Sequence, residues 1–207
     1  MTIFVIGNSH TSLFKYDNRF ICVEGNIKSG ATAYNLNKEN STTQSRRILF
    51  ELVNRIDKEK DTIILTGYGE VDCRIHIYYQ FKKNNEKYSI EELIVNTVLN
   101  YGYVMEELKN MGINFYICGI TPAGWEPNLN NYPWYTTPDI HSRIYNTFNN
   151  VLKLYCEVHG HKYLDIYSKT VDIDGHMKRE YSEDKVHLKR NALPFVIDML
   201  KSFGEKL

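Results

Sequence analysis

The sequence predicts an α/β fold, a flavodoxin-like three-layer α/β/α sandwich around a five-stranded parallel sheet. Three observations lead there. Five short runs are continuously apolar and rich in β-branched residues, as strands covered on both faces must be. Stretches of helical period separate most of them. The residues able to do chemistry fall just after the runs, at the carboxyl edge where such sheets carry their sites.

Residues 2–6 read as the first buried strand and residues 20–23 as the second. A glycine-containing loop covers residues 25–30, and residues 31–36 open a short helix. Residues 43–58 have the helical period, with Ile48, Leu49, Leu52, Val53 and Ile56 on one face. Residues 62–66 form the third strand, ended by Gly67-Tyr68-Gly69. The stretch 74–87 shows no decisive period. Residues 90–109 make a long amphipathic helix, stopped at Asn110-Met111-Gly112 with Gly112 as its C-cap. Residues 114–119 are the fourth strand. Residues 121–138 form a long loop with four of the five prolines and both tryptophans. A helix over 139–159, a fifth strand over 162–166 and a helix over 188–203 complete the chain. Ser9, Gly30, residues 69–72 and residues 121–125 thus follow strands one to four on one edge. At 207 residues the chain reads as one domain, 1–207, long enough to bury a sizeable core.

Acidic and basic side chains balance at 25 each, so no general attraction for nucleic acid or an anionic membrane is expected. Basic residues gather only in pairs such as Arg46-Arg47 and Lys189-Arg190. The four cysteines lie far apart without a CxxC spacing, which argues against a zinc site and fits a reducing compartment. Neither a basic leader nor a long apolar stretch precedes the first strand, so a cytoplasmic location is expected. His159 and His161 are poorly spaced for a shared metal and are expected to face solvent. No metal and no cofactor is expected.

Two segments at opposite ends carry the chemistry. Gly7-Asn8-Ser9-His10 puts a serine on a sharp turn after strand one. Asp184-Lys185-Val186-His187 puts a carboxylate and an imidazole three positions apart. A serine hydroxyl needs a neighbouring base to become a nucleophile, and that base needs a third group to orient it. The alternatives for these residues are helix caps: Ser9 after the strand, Asp184 before the last helix.

These segments resemble the SGNH (GDSL-like) hydrolase superfamily across nearly the whole chain. Its Gly-Asp-Ser block corresponds to Gly7-Asn8-Ser9, which places Ser9 as nucleophile. Its glycine block is matched by Ser29-Gly30-Ala31-Thr32-Ala33, which places the Gly30 amide in the oxyanion hole. Its Asp-x-x-His block is Asp184 to His187. The Gly-x-Asn-Asp block departs: the chain reads Gly67-Tyr68-Gly69-Glu70-Val71-Asp72-Cys73-Arg74. Either alignment puts a residue without a donor, Gly69 or Val71, at the asparagine. This variant segment resembles a branch met among bacterial glycan-related proteins. Arg74 is the candidate replacement donor, held by Glu70, with Asp72 beside them; the alternative is an ion network without a catalytic part.

The resemblance implies a serine esterase or deacetylase acting on a small acyl ester, an O-acetylated sugar or glycan precursor being one candidate. The same parts would serve an acyltransferase to a sugar hydroxyl. A non-catalytic binding protein is the reading from another class, and the missing asparagine is its support. The expected partner is a small-molecule or carbohydrate ester substrate. Arg143 and Asn146 are assigned to the fourth loop or the substrate wall. Trp125, Trp134 and Tyr135 place a substrate lid in the 121–138 loop.

Overall fold

A computed structural model describes residues 2–23, 30–125 and 136–207. Ser29, Trp134 and Tyr135, with most of the 25–30 loop and the centre of the 121–138 loop, lie outside the described residues.

Five strands form one parallel sheet: β1 (Ile3–Gly7), β2 (Phe20–Cys22), β3 (Thr62–Thr66), β4 (Asn114–Cys118) and β5 (Lys162–Leu164). Their spatial order is β2-β1-β3-β4-β5. β1 and β3 pair over their full length, from Ile3 opposite Thr62 to Gly7 opposite Thr66. Helices α1 (Ser45–Val53), α2 (Ile77–Lys83), α3 (Ile90–Asn110), α4 (Pro138–His159), α5 (Ile166–Thr170) and α6 (Leu193–Ser202) connect and cover the sheet.

Strand alternation divides the core in two. Ile63, Leu65, Phe115 and Ile117 face α1, α3 and α4, packing on Leu49, Val98, Tyr101 and Phe148. Ile3, Val5, Ile64 and Tyr116 face the other way, onto Phe14 and onto Leu193, Val196 and Leu200 of α6. Burying each such aliphatic side chain is worth roughly 1.5–3 kcal/mol. The three layers follow from this two-sided apolar pattern. Because all strands run parallel, the loops after β1, β3 and β4 leave from one edge.

Several boundaries differ from the sequence reading. Residues 31–36 form turns rather than a helix, because the Asp72 carboxylate draws the amides of Ala33 (2.7 Å) and Tyr34 (3.4 Å) out of a helical path. α1 is shorter than 43–58; it starts after Gln44, which sits at φ 51°, and stops at Val53. The undecided stretch is helical: a π-helical turn over Asp72–His76 runs into α2. The last strand stops at Leu164, and a 3-10 turn over Arg190–Ala192 precedes α6.

Candidate active site

β1 ends at Gly7, where a Cβ would collide with the carbonyl of Thr66 on β3. The chain turns there into a 3-10 helix, Ser9–Tyr16, and Asn8 rather than Ser9 caps it. The Asn8 Oδ1 accepts the His10 amide at 3.1 Å, and its Nδ2 donates to the Gly67 carbonyl at 2.8 Å. One amide side chain thereby ties the loop after β1 to the loop after β3. An aspartate could not donate to Gly67. Ser9, freed of the capping role, is exposed on the edge.

The segment after Ser182 returns to that edge. The Glu183 amide donates to the His187 carbonyl at 2.8 Å, and the Thr121 hydroxyl donates to the Val186 carbonyl at 3.3 Å. Gly124 lies under Lys185 so closely that a Cβ would strike the Lys185 carbonyl. The loops after β4 and before α6 are therefore packed together, and they set the height of His187.

Ser9 and His187 meet across 178 positions of sequence, with Oγ 2.7 Å from Nε2. On the other side of the ring, Nδ1 lies 2.7 Å from Asp184 Oδ2. Asp184 Oδ1 accepts the amides of Val186 (3.1 Å) and His187 (2.8 Å). Partial burial raises the Asp184 carboxyl, but the His187 ring and these amides outweigh it and hold it below its ordinary value. An ionised Asp184 takes the Nδ1–H, which leaves the Nε2 lone pair for the serine proton.

Beneath this relay lies a carboxylate that sequence reasoning saw only as a partner of Arg74. Glu70 is 2 % exposed. It sits 2.8 Å from Arg74 Nε and 3.7 Å from His10 Nε2, and accepts the Tyr145 hydroxyl at 2.9 Å. Burial alone would raise it, but His10, Arg74 and Tyr145 together hold it down to about 2. The ring of His10 lies 4.8 Å from that of His187, centroid to centroid. His10 thus packs between Glu70 and the ring of His187.

Asp72 is fully buried and accepts the Ala33 and Tyr34 amides, so it holds the loop that follows Gly30. Burial pushes its carboxyl up to about 7 against the pull of those amides. Gly30 has φ 106°, a conformation side chains avoid, and a Cβ there would meet nothing within 4 Å. Gly69, also at φ 106°, is closed: a Cβ would enter the ring of Phe148 on α4. No asparagine fits at that position.

A cleft opens beside the Asp184 end of the relay, lined among others by Glu70, Arg74, His141, Tyr145 and Lys185. His141 is 1 % exposed, and neither ring nitrogen has a hydrogen-bond partner among the described residues. Burial drives it down to about 4, so it is neutral at pH 7. His141 and Tyr145 lie on an α4 whose pattern reads as ordinary helix, and no local signal marked them. Arg143, by contrast, reaches Glu91 at 3.6 Å and does not line this cleft. The Arg179 guanidinium lies 5.1 Å from the centre of the Trp125 ring. His161 does not face solvent: its side chain is covered and bonds Glu106 at 2.9 Å, a carboxylate it shares with His159. Among the described residues no group of three or more histidines, cysteines and carboxylates is placed to hold a metal. None of the cysteines forms a disulfide among the described residues.

Comparison with solved structures places this architecture. A GDSL-like lipase from Bacteroides thetaiotaomicron VPI-5482 superposes with a TM-score of 0.62 at 17% identity, over 98% of this chain and 86% of that one. The chain has the SGNH/GDSL-like hydrolase fold. An acetyl xylan esterase, AlAXEase, matches this chain with a TM-score of 0.61 at 13% identity, over 98% and 99% of the two chains. The C-terminal domain of the Drosophila Oskar protein matches it at 0.58 and 14% identity, over 97% and 87%. No family model and no curated protein matches the sequence. Structural likeness at such low identity speaks for the fold alone. Among the described residues, no helix is long and apolar enough to cross a membrane.

Proposed function

We propose that the protein is a serine acylhydrolase that cleaves small acyl esters through an acyl-enzyme on Ser9. The supporting observation is the unbroken chain from Ser9 Oγ to His187 to Asp184, with both links at 2.7 Å. In this reading Ser9 attacks the ester carbonyl as His187 Nε2 takes its proton. The imidazolium, stabilised by Asp184, then protonates the departing alkoxide. Water, deprotonated by His187, releases the acid and restores Ser9.

Charge develops on the carbonyl oxygen in both steps. The amides of Ser9 and Gly30 are the assigned donors, and the Arg74 guanidinium is assigned as the third. One such donor is worth about 3–4 kcal/mol of transition-state stabilisation. Glu70 holds Arg74 at 2.8 Å and keeps it beside the relay.

The cleft at Asp184 encloses only about 70 Å³, too little space for a long hydrocarbon tail. That favours a short acyl group. The likeness to an acetyl xylan esterase supports an O-acetylated sugar or glycan precursor as substrate. A sugar hydroxyl replacing water would make the same site an acyltransferase. The closed Gly69 position favours one further reading, a binding protein that keeps the fold without turnover.

Hydrolysis of p-nitrophenyl acetate, butyrate and decanoate tests the proposal. Turnover falling with acyl length, and reduced about 10³-fold or more in Ser9→Ala and in Asp184→Asn, is expected. Equal turnover in Ser9→Ala and the wild type would refute it.

A further inference from the structure

A second concave surface lies on the α2–α3 side of the molecule, separate from the cleft at Asp184. It encloses about 550 Å³, within the range of roughly 300–1,000 Å³ usual for small-ligand sites. Its walls are α2, the start of α3, and the turn that follows Gly30.

Its composition is unusual for a chain in which 24% of residues are charged. Among the described residues no lysine, arginine or glutamate lines it, and its acid and imidazole are Asp72 and His76. Asn35, Gln80, Asn84 and Asn96 give it four side-chain amides, and Tyr34 and Tyr88 give it two rings. These rings are 37% and 43% exposed. Ile77 and Leu93 supply an apolar floor.

The amides have capacity to spare. Asn84 spends its NH₂ on the Gln80 carbonyl (2.8 Å) and keeps an oxygen. Asn96 uses its oxygen for Asn100 (3.3 Å) and keeps an NH₂. An amide offers a donor and an acceptor in one plane, which matches a pair of adjacent hydroxyls. Lys38 and Lys87 cover one face of the Tyr34 and Tyr88 rings, at 4.2 and 5.4 Å from the centroids. Exposed rings of this kind suit stacking against the C–H face of a sugar.

The groove is also built into the site loop. Asp72, buried at its edge, fixes the Tyr34 backbone by accepting its amide. Tyr34 follows Gly30 by four residues, so the two lie within ~14 Å even at full extension. Glu70 and Asp72, two positions apart, serve the relay and the groove in turn.

We propose that this groove binds a neutral oligosaccharide and holds the glycan part of an acylated substrate. The inference deepens the acylhydrolase reading, but binding itself needs no chemistry at Ser9, so the two can fail separately.

Isothermal titration calorimetry of Ser9→Ala protein with xylotetraose, cellotetraose and N-acetylchitotetraose, each in turn, provides the test. At least one binds, and its affinity drops about tenfold or more in Tyr88→Ala and in Asn96→Ala, a loss of the size expected for one stacking or hydrogen-bonding contact. Tyr88→Phe restores most of the affinity, because the ring is what the sugar uses. Both positions are exposed, and an unchanged thermal midpoint verifies that the variants fold. Absence of heat with all three sugars overturns the proposal. So does binding that is indifferent to both alanine variants. Sugar binding in a protein without esterase activity would leave the groove standing and remove the enzyme.

Discussion

Gly69 and Phe148 are packed so that no side chain can exist at position 69: a Cβ there would overlap the Phe148 ring, and φ is 106°. The contact joins the loop after β3 to α4. It closes one of the two positions, Gly69 and Val71, at which the Gly-x-Asn-Asp pattern could seat an asparagine, and it leads to a prediction. Gly69→Asn does not install an oxyanion donor. It costs several kcal/mol, roughly 1–3 for overpacking and as much again for backbone strain. A thermal melt should show a midpoint lowered by several degrees, with no gain in ester turnover.

Glu70 gives a pH signature. Its folded-state carboxyl is held down to about 2, against 4.5 for an ordinary glutamate. A depressed acid stabilises the fold fully above its unfolded value, and loses that contribution as pH falls through the folded one. Wild-type stability should therefore decline between about pH 4.5 and 2. Glu70→Gln should flatten that window in urea titrations, and lower neutral-pH stability by roughly 1.5–3 kcal/mol through loss of the charge-assisted contact to Arg74.

Asp72 has the opposite sign. Its folded-state carboxyl stands near 7 against an ordinary 3.8. The unfolded chain gives up this proton first, so the fold is least burdened below about pH 4 and loses stability as pH rises toward 7. Asp72→Asn should remove this decline while keeping one acceptor for the Ala33 amide. Urea midpoints at pH 4, 5, 6 and 7, measured beside wild type, check it.

Asn8→Asp separates capping from bridging. Aspartate can still accept the His10 amide, but it sets a carboxylate oxygen against the Gly67 carbonyl in place of a 2.8 Å bond. A loss of roughly 1–3 kcal/mol is expected from the unsatisfied pair. Ester turnover should fall with it, since the same side chain fixes the turn that carries Ser9.

The sheet was legible because its strands are short, apolar and β-branched on both faces, as Thr62–Thr66 shows. α3 was legible from its period and from Gly112 at its end. Residues 31–36 were not, because a carboxylate 39 positions downstream decides their path. His161 misled for the same reason: its partner Glu106 is 55 positions away. The pairing of Asp184 with His187 could be read locally, as spacing. The Glu70–Arg74 pair, four positions apart, could be read the same way, but His10 and Tyr145 could not, since they come from other elements and only folding brings them to that carboxylate.

The central claim is that the Ser9 hydroxyl is an activated nucleophile. Intact-mass spectrometry after incubation with a fluorophosphonate measures this directly. One phosphonyl adduct, mapped by peptide digestion to Ser9, abolished in Ser9→Ala and strongly slowed in His187→Ala, is the predicted result. An unmodified mass across neutral pH, or an adduct that persists in Ser9→Ala, would contradict it.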